Sequence, residues 1–322
     1  MAAETKEKVD PIKAKGHRFP AQRVAYNRRD LALYALGIGA SELKFLYEND
    51  SGFSAIPTFP VVLGFKGESS DIVPFGSGGS VGFTGIPGVP KFNLSMILHG
   101  EQSVEILRPL PTSGSFENRG VVLGVFDKGS GAVIETETSL VCPKSNNVYA
   151  KLVSSTFVRG LGGFGGEKQP KVPSYNPPAV DTRLPDAIEE YKTDKQQAML
   201  YRLSGDYNPL HADPKVATKV LLLLATPQVG FPGPILHGLC SFGVATRAVL
   251  NKFAGNDTKK FKGIKVRFAA PVFPGETLVT EMWRGETKND TTEVIFQVKV
   301  KERDVVVINQ AVARVSELSS KM

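Results

Sequence analysis

Five prolines fall between residues 165 and 187, in the run GGEKQPKVPSYNPPAVDTRLPDA. Proline fixes φ and donates no N–H, so this stretch forms neither a helix nor a central strand. It reads as an extended linker near the middle of a 322-residue chain. A single hydrophobic core approaches its limit at this length. The expected organisation is therefore an N-terminal unit over 1–164, a linker over 165–187 and a C-terminal unit over 188–322.

The two units repeat a plan. In the first, Ser103–Arg108 alternates apolar and polar residues and is broken by Pro109-Leu110-Pro111; in the second, Lys265–Ala270 alternates and is broken by Pro271-Val272-Phe273-Pro274. Period-2 alternation marks half-buried strands. Three more such runs follow in each unit: Gly120–Phe126, Ala132–Leu140 and Val148–Val158, then Leu278–Trp283, Val294–Val300 and Val305–Val315. Lys288-Asn289-Asp290 supplies a turn between two of them. Ahead of the C-terminal strands, Asp194 caps a helix through Leu203 that Gly205 ends, Asp213-Pro214 starts another, and a longer helix runs from Gly238 to Gly255. One long helix followed by an antiparallel meander predicts an α+β layout, a sheet curled around a helix.

Composition removes several function classes. The longest apolar run, Val220–Ala225, falls far short of the roughly 18 residues that span a bilayer. The N-terminus alternates charges at Glu4, Lys6, Glu7 and Lys8 with no apolar stretch behind them, unlike a secretory signal. Cys142 and Cys240 are too few for a disulfide framework or a zinc site. The net charge of +7 is spread along the chain without interleaved aromatics, which argues against nucleic acid and leaves a small anionic ligand open. Gly160, Gly162 and Gly165 match G-x-G-x-x-G after a strand, but they lead into the proline-rich linker rather than a helix. No dinucleotide cofactor is implied.

The chemistry concentrates in YRLSGDYNPLHADP, residues 201–214. Gly205 and Pro209 suit a turn between helices. That turn holds Asp206 and His211 five residues apart, and His211 is one of only four histidines. An Asp and a His fixed near each other can hold one water between them, each able to take or give its proton. Asn208 adds a donor and an acceptor beside them. A Ser204–His211–Asp206 hydrolase triad is the competing reading, but Ser204 lacks the strand–turn–helix elbow with flanking glycines. A second element, Pro234-Ile235-Leu236-His237-Gly238, places a glycine N–H at a helix start. There the dipole helps it stabilise a developing oxyanion, while packing alone accounts for a loop glycine equally well.

These segments resemble the hydratase 2 family, the (3R)-specific enoyl-CoA hydratases. YRLSGDYNPLHADP carries the resemblance, with ILHGLCSFG (235–243) and KVRFAAPVFPGETL (265–278). In the N-terminal half PTFPVVLG (57–64), LHGEQ (98–102), RPLP (108–111) and DKGSGAVI (127–134) are similar too. The resemblance spans about residues 25–315. It is close to the MaoC-like hydratase part of peroxisomal multifunctional enzymes and to stand-alone hydratases.

The resemblance implies a double hot-dog, two tandem folds each with a long helix wrapped by an antiparallel sheet. It implies reversible hydration of trans-2-enoyl-CoA to (3R)-3-hydroxyacyl-CoA, a hydro-lyase reaction without metal or redox cofactor. It makes Asp206 and His211 the catalytic pair, Asn208 their support and Gly238 the oxyanion donor. The N-terminal half then holds the acyl chain; Tyr34–Gly39 and Pro57–Gly64 are apolar stretches available to line its tunnel, against the plain reading of ordinary core packing. Lys265 and Arg267 are candidates for the CoA phosphates, against the plain reading of a strand's solvated face. The interval from His211 to Gly238 is longer than the family pattern, with the extra material in 217–231. Ser320-Lys321-Met322 resembles a peroxisomal address, which implies an import receptor as partner and fatty-acid oxidation as context. A homodimer is a further expectation. A dehydratase acting on acyl-carrier-protein thioesters shares the motif, and a catalytically silent acyl-CoA-binding hot-dog would show a broken Asp–Asn–His set.

Overall fold

A computed structural model describes residues 8–75, 85–170, 180, 182–224 and 233–316. The terminal Ser320-Lys321-Met322, most of the proline-rich run and part of the 217–231 segment lie outside the described residues. Strands β1 (Gln22–Tyr26), β2 (Ile97–Ile106), β3 (Gly114–Asp127), β4 (Gly131–Val141) and β5 (Val148–Arg159) come from the N-terminal half. Strands β6 (Ala187–Lys192), β7 (Phe261–Phe268), β8 (Thr277–Lys288), β9 (Thr291–Val300) and β10 (Val305–Ser316) come from the C-terminal half. All ten form one antiparallel sheet in the order β1-β3-β4-β5-β2-β7-β10-β9-β8-β6.

That order is a palindrome about the β2–β7 seam. Moving outward, β5 matches β10, β4 matches β9, β3 matches β8 and β1 matches β6. The repeat read from the sequence is therefore a repeat of topology, a double hot-dog sharing one sheet. The seam is antiparallel, pairing Gln102 with Val266 and Val104 with Ile264. A hydrophobic core runs across both halves without a break, with Val104, Phe116 and Leu152 in the same cluster as Val266, Phe242 and Phe296.

The helices are α1 (Pro11–Ala14), α2 (Arg28–Gly37), α3 (Leu43–Leu46), α4 (Leu63–Lys66), α5 (Gln197–Tyr201), α6 (Pro214–Leu224) and α7 (Gly238–Ala254). Only α7 exceeds eleven residues among those described. It ends where Gly255 turns left-handed at φ 57°, the conformation that stops a helix most readily at glycine. Thirteen of its seventeen residues are buried, so the sheet closes around it as a core helix. Asp213 caps α6 through a 2.8 Å bond from the Lys215 N–H. The predicted helix after Asp194 is shorter than the sequence indicates: α5 ends at Tyr201 and a 3-10 turn covers Arg202–Ser204.

The resemblance implies a long helix in each half, and here the halves part. On the N-terminal side, the described segment against the sheet is a 3-10 turn, Phe59–Val62, running into the four-residue α4. Prolines at 57 and 60 limit helix length there. The shorter segment leaves space over β2–β5 that α7 fills over β7–β10.

Two further sequence readings resolve locally. Asn289 and Asp290 take φ 48° and 59°, the two left-handed positions of a tight hairpin between β8 and β9. The glycine run after β5 holds an anion from the chain itself. The N–H groups of Gly129, Gly163 and Gly165 donate to the Asp127 carboxylate at 2.7–2.9 Å, holding it down at about 2. The sequence match to a phosphate loop is a nest for an internal carboxylate.

Candidate active site

The turn between α5 and α6 fixes the site. Gly205 sits at φ 132°, and a Cβ there would come within 2.8 Å of the Lys66 backbone nitrogen. Only glycine fits both conditions. The turn therefore leans on the end of α4, so the N-terminal half braces the C-terminal half's reactive segment. Asp206 closes the turn by accepting from the Asn208 N–H at 3.3 Å, and Asn208 then caps the 3-10 turn Pro209–His211 by accepting from the Leu210 N–H at 3.0 Å.

Asp206 and His211 are both buried and both line a cavity of about 1170 Å³. Burial pushes the Asp206 carboxyl above its ordinary 3.8, opposed by the nearby His211 and the Asn208 N–H. Burial likewise pushes the His211 imidazole below 6.5, opposed by the Asp206 charge. The low-dielectric site thus disfavours charge on both groups. His211 Nδ1 lies 2.9 Å from the Ile235 carbonyl, which only accepts, so the proton sits on Nδ1 and Nε2 carries the free lone pair.

His237 joins the pair. Its ring stacks on His211 with centroids 3.7 Å apart and planes inclined by 27°. Its Nε2 donates to the Asp206 backbone carbonyl at 3.1 Å, and its Nδ1 is buried without a partner. Burial and the adjacent His211 hold it well below 6.5, so it is a neutral spacer. A carboxylate oxygen of Asp206 and a nitrogen of each histidine lie within 4.8 Å of one another. That spacing suits one bridging water, since two hydrogen bonds of about 2.8 Å span it. It suits a metal poorly. Ring lone pairs lie in the ring planes, and two planes stacked at this distance and tilt do not converge about 2 Å from both nitrogens.

Gly238 is the first residue of α7, next to His237. No side chain caps this helix, so the first N–H groups, that of Gly238 among them, have no intrahelical acceptor. A Cβ on Gly238 would meet the Phe268 ring at 3.2 Å. Gly238 and Phe268 line the same cavity as Asp206 and His211. The predicted set of Asp206, Asn208, His211 and Gly238 is brought together. Asn208 differs in one respect: its amide oxygen is engaged by Leu210, so only its NH₂ remains for the cavity. Ser204 is buried with no hydrogen-bond partner, and it is not among the residues lining the cavity.

Lys265 and Arg267 also line the cavity. Alternation along β7 puts them on the face away from Ile264 and Val266. Lys265 pairs with Glu101 at 3.4 Å and Arg267 reaches Gln310 at 3.4 Å. Of the two tunnel stretches, Pro60, Val61 and Gly64 line the cavity. Tyr34–Gly39 does not. Tyr34 and Ile38 are core residues, and Gly37 packs against Tyr201. Core packing is the role that stretch takes: α2 supports the α5 turn, and Gln197 Nε2 donates to the Gly37 carbonyl at 2.6 Å. His237 holds the site together in a way that sequence neighbours do not show. Its signal was adjacency to Gly238, which does not reveal a ring stacked across the fold.

The chain is similar to known proteins along most of its length. Residues 24–160 match the MFE-2 hydratase 2 N-terminal domain and residues 179–310 match the MaoC like domain. The mouse peroxisomal multifunctional enzyme type 2 is 42% identical over 305 residues, which is 93% of this chain and 38% of that protein. The chain thus spans under half of that longer relative. The Arabidopsis thaliana protein named enoyl-CoA hydratase 2, peroxisomal, is 39% identical over 310 residues, 91% of each chain. The crystal structure of a MaoC-like dehydratase from Phytophthora capsici superposes with a TM-score of 0.85 at 44% identity, covering 98% of this chain and 100% of that one.

Proposed function

The chain belongs to the enoyl-CoA hydratase 2 family, and on that premise we propose that it adds water reversibly to trans-2-enoyl-CoA, giving (3R)-3-hydroxyacyl-CoA. The observation that carries this reading is the pairing of Asp206 and His211 on one buried turn, facing the cavity that Gly238 also lines. A water held between the two presents its oxygen to C3 of the alkene. As the C3–O bond forms, electrons move onto the thioester carbonyl, and the Gly238 N–H at the positive end of α7 stabilises that oxygen. One proton of the water passes to the pair, and the pair delivers a proton to C2. The pair ends with the protons it began with, so no redox partner enters. The lone pair on His211 Nε2 is the acceptor the tautomer provides. Asn208 offers its NH₂ as a donor beside the water.

His237 is a positioning residue in this scheme. It fixes the Asp206 backbone from one ring nitrogen and the tilt of the His211 ring by stacking. Arg267 is an exposed cation available to the CoA phosphates, with Lys265 tied to Glu101. The setting is peroxisomal β-oxidation, with Ser320-Lys321-Met322 as the address for an import receptor. No helix among the described residues is long and apolar enough to cross a membrane.

The test is a panel of enoyl thioesters from C4 to C16, offered as CoA and as acyl-carrier-protein esters and followed by loss of enoyl absorbance. Hydration of the CoA series supports the proposal. Turnover of the carrier-protein series alone reassigns the enzyme to synthesis.

A further inference from the structure

The space left by the short N-terminal helix has apolar walls that include Pro60, Val61 and Phe65, but the sheet face beneath it carries a cluster of polar side chains. Paired residues in an antiparallel ladder share a face. From the seam pair Gln102–Val266, the C-terminal half presents Ile264, Val298 and Phe296 to α7, all buried in the hydrophobic core. On the N-terminal side the same face runs from Gln102 to Ser154 and from Ser154 to Thr136. Thr156 lies on it through its pair with His99, and Thr138 through its pair with Leu152. Asn118 joins through Leu140.

The polar side chains of this face that line the cavity are Gln102, His99, Asn118, Thr136, Thr138, Ser154 and Thr156. His99 and Ser154 bond each other at 3.1 Å. Among the described residues, no hydrogen bond engages the side chains of Asn118, Thr136, Thr138 or Thr156. Asn118 and Thr136 are 8% exposed and Thr156 only 3%. A plain alkyl chain laid here strips water from these groups and returns nothing, which is unfavourable for each of them. An alcohol both donates and accepts, and so matches threonine hydroxyls and a carboxamide together.

We infer that this surface is a subsite for acyl chains carrying a hydroxyl group remote from the thioester. The inference rests on the hydratase reading for the location of the thioester. The C-terminal half handles the reacting end of the chain, and the N-terminal half reads the polarity of its tail.

Binding of saturated CoA thioesters tests the subsite without turnover. Calorimetry on the full chain compares dodecanoyl-CoA with its 12-hydroxy and 10-hydroxy derivatives. The expected result is that at least one hydroxylated ester binds ten-fold or more tighter than the plain ester. The shape-conserving double substitution Thr136→Val, Thr156→Val should remove that margin. Tighter or equal binding of plain dodecanoyl-CoA by the wild-type chain overturns the inference, whether or not the double variant folds. Crotonyl-CoA, too short to carry a remote hydroxyl, is assayed alongside. Failure to hydrate it counts against the hydratase reading and leaves the binding comparison to decide the subsite.

Discussion

The two halves lay different things on the same face of one sheet. Over β7–β10 lies α7, seventeen residues whose buried side chains meet valine, isoleucine and phenylalanine. Over β2–β5 lie a 3-10 turn and the four residues of α4, above threonine, serine and asparagine. The long helix gives its half a dipole end at Gly238 and a rigid wall behind His237. The short segment gives its half a cavity. Duplication of the fold thus yields one reacting end and one receiving end, because two long helices would leave no room for a substrate tail.

The largest effect that would break this contrast concerns the acid–base pair. Asp206→Asn or His211→Gln should each lower kcat on crotonyl-CoA by roughly 10²–10⁴-fold, the usual range for a lost acid or base. His99→Gln, in the receiving half, should cost less than ten-fold. Comparable losses at His99 and His211 would mean that both halves take part in the chemistry.

Next comes the cavity itself. A Cβ on Gly64 would meet only Asn118 Nδ2 at 3.6 Å and Gln22 Oε1 at 3.8 Å, so Gly64→Leu directs its side chain into the open space. Each methylene denied burial forfeits about 0.8 kcal/mol, so three displaced methylenes lower kcat/KM for a long chain roughly 50-fold. Crotonyl-CoA turnover should be preserved. A uniform loss across chain lengths, measured after a thermal melt confirms folding, would assign Gly64 to the fold.

A smaller effect sharpens the account of the reacting half. His237→Phe keeps an aromatic ring against His211 and removes the donor to the Asp206 carbonyl. The expected fall in kcat is about ten-fold. The stability change should stay within about 1.5 kcal/mol, the net worth of one hydrogen bond. Full activity in this variant would leave stacking as the only contribution of His237.

The mildest test is the pH profile. Acidification protonates whichever group accepts the water's proton. His211 accepts through Nε2 and burial pushes it down from 6.5, so the acid limb of kcat/KM should lie below 6.5. A limb at or above 6.5 would contradict the burial of His211.

The sequence made much of this legible, and the missing parts have physical reasons. Alternation located all the inner strands, because each has one face on the core and one facing away. It did not locate β1 or β6, which are short edge strands. β6 follows Pro185 and shows half-buried and exposed residues alternating over AIEEYK, a pattern that merges with the linker. Helix α2 carried a readable signal, the reciprocal capping box of Asn27 and Asp30. The Asp206–His211 pair was legible because a turn holds both groups within six residues. His237 and the polar face were not, since each is assembled from strands or loops far apart in sequence. Thr136 and Thr156 look like ordinary strand threonines until the ladder places them diagonally on one face, lining the cavity.

The central claim is that the C-terminal turn adds water to one face of the alkene. The most direct measurement is chiral analysis of the product formed from trans-2-hexenoyl-CoA by the wild-type chain and by Asp206→Asn. The account predicts (3R)-3-hydroxyhexanoyl-CoA from the wild type and at least a hundred-fold less from the variant. A (3S) product, or equal yields from both proteins, would contradict it.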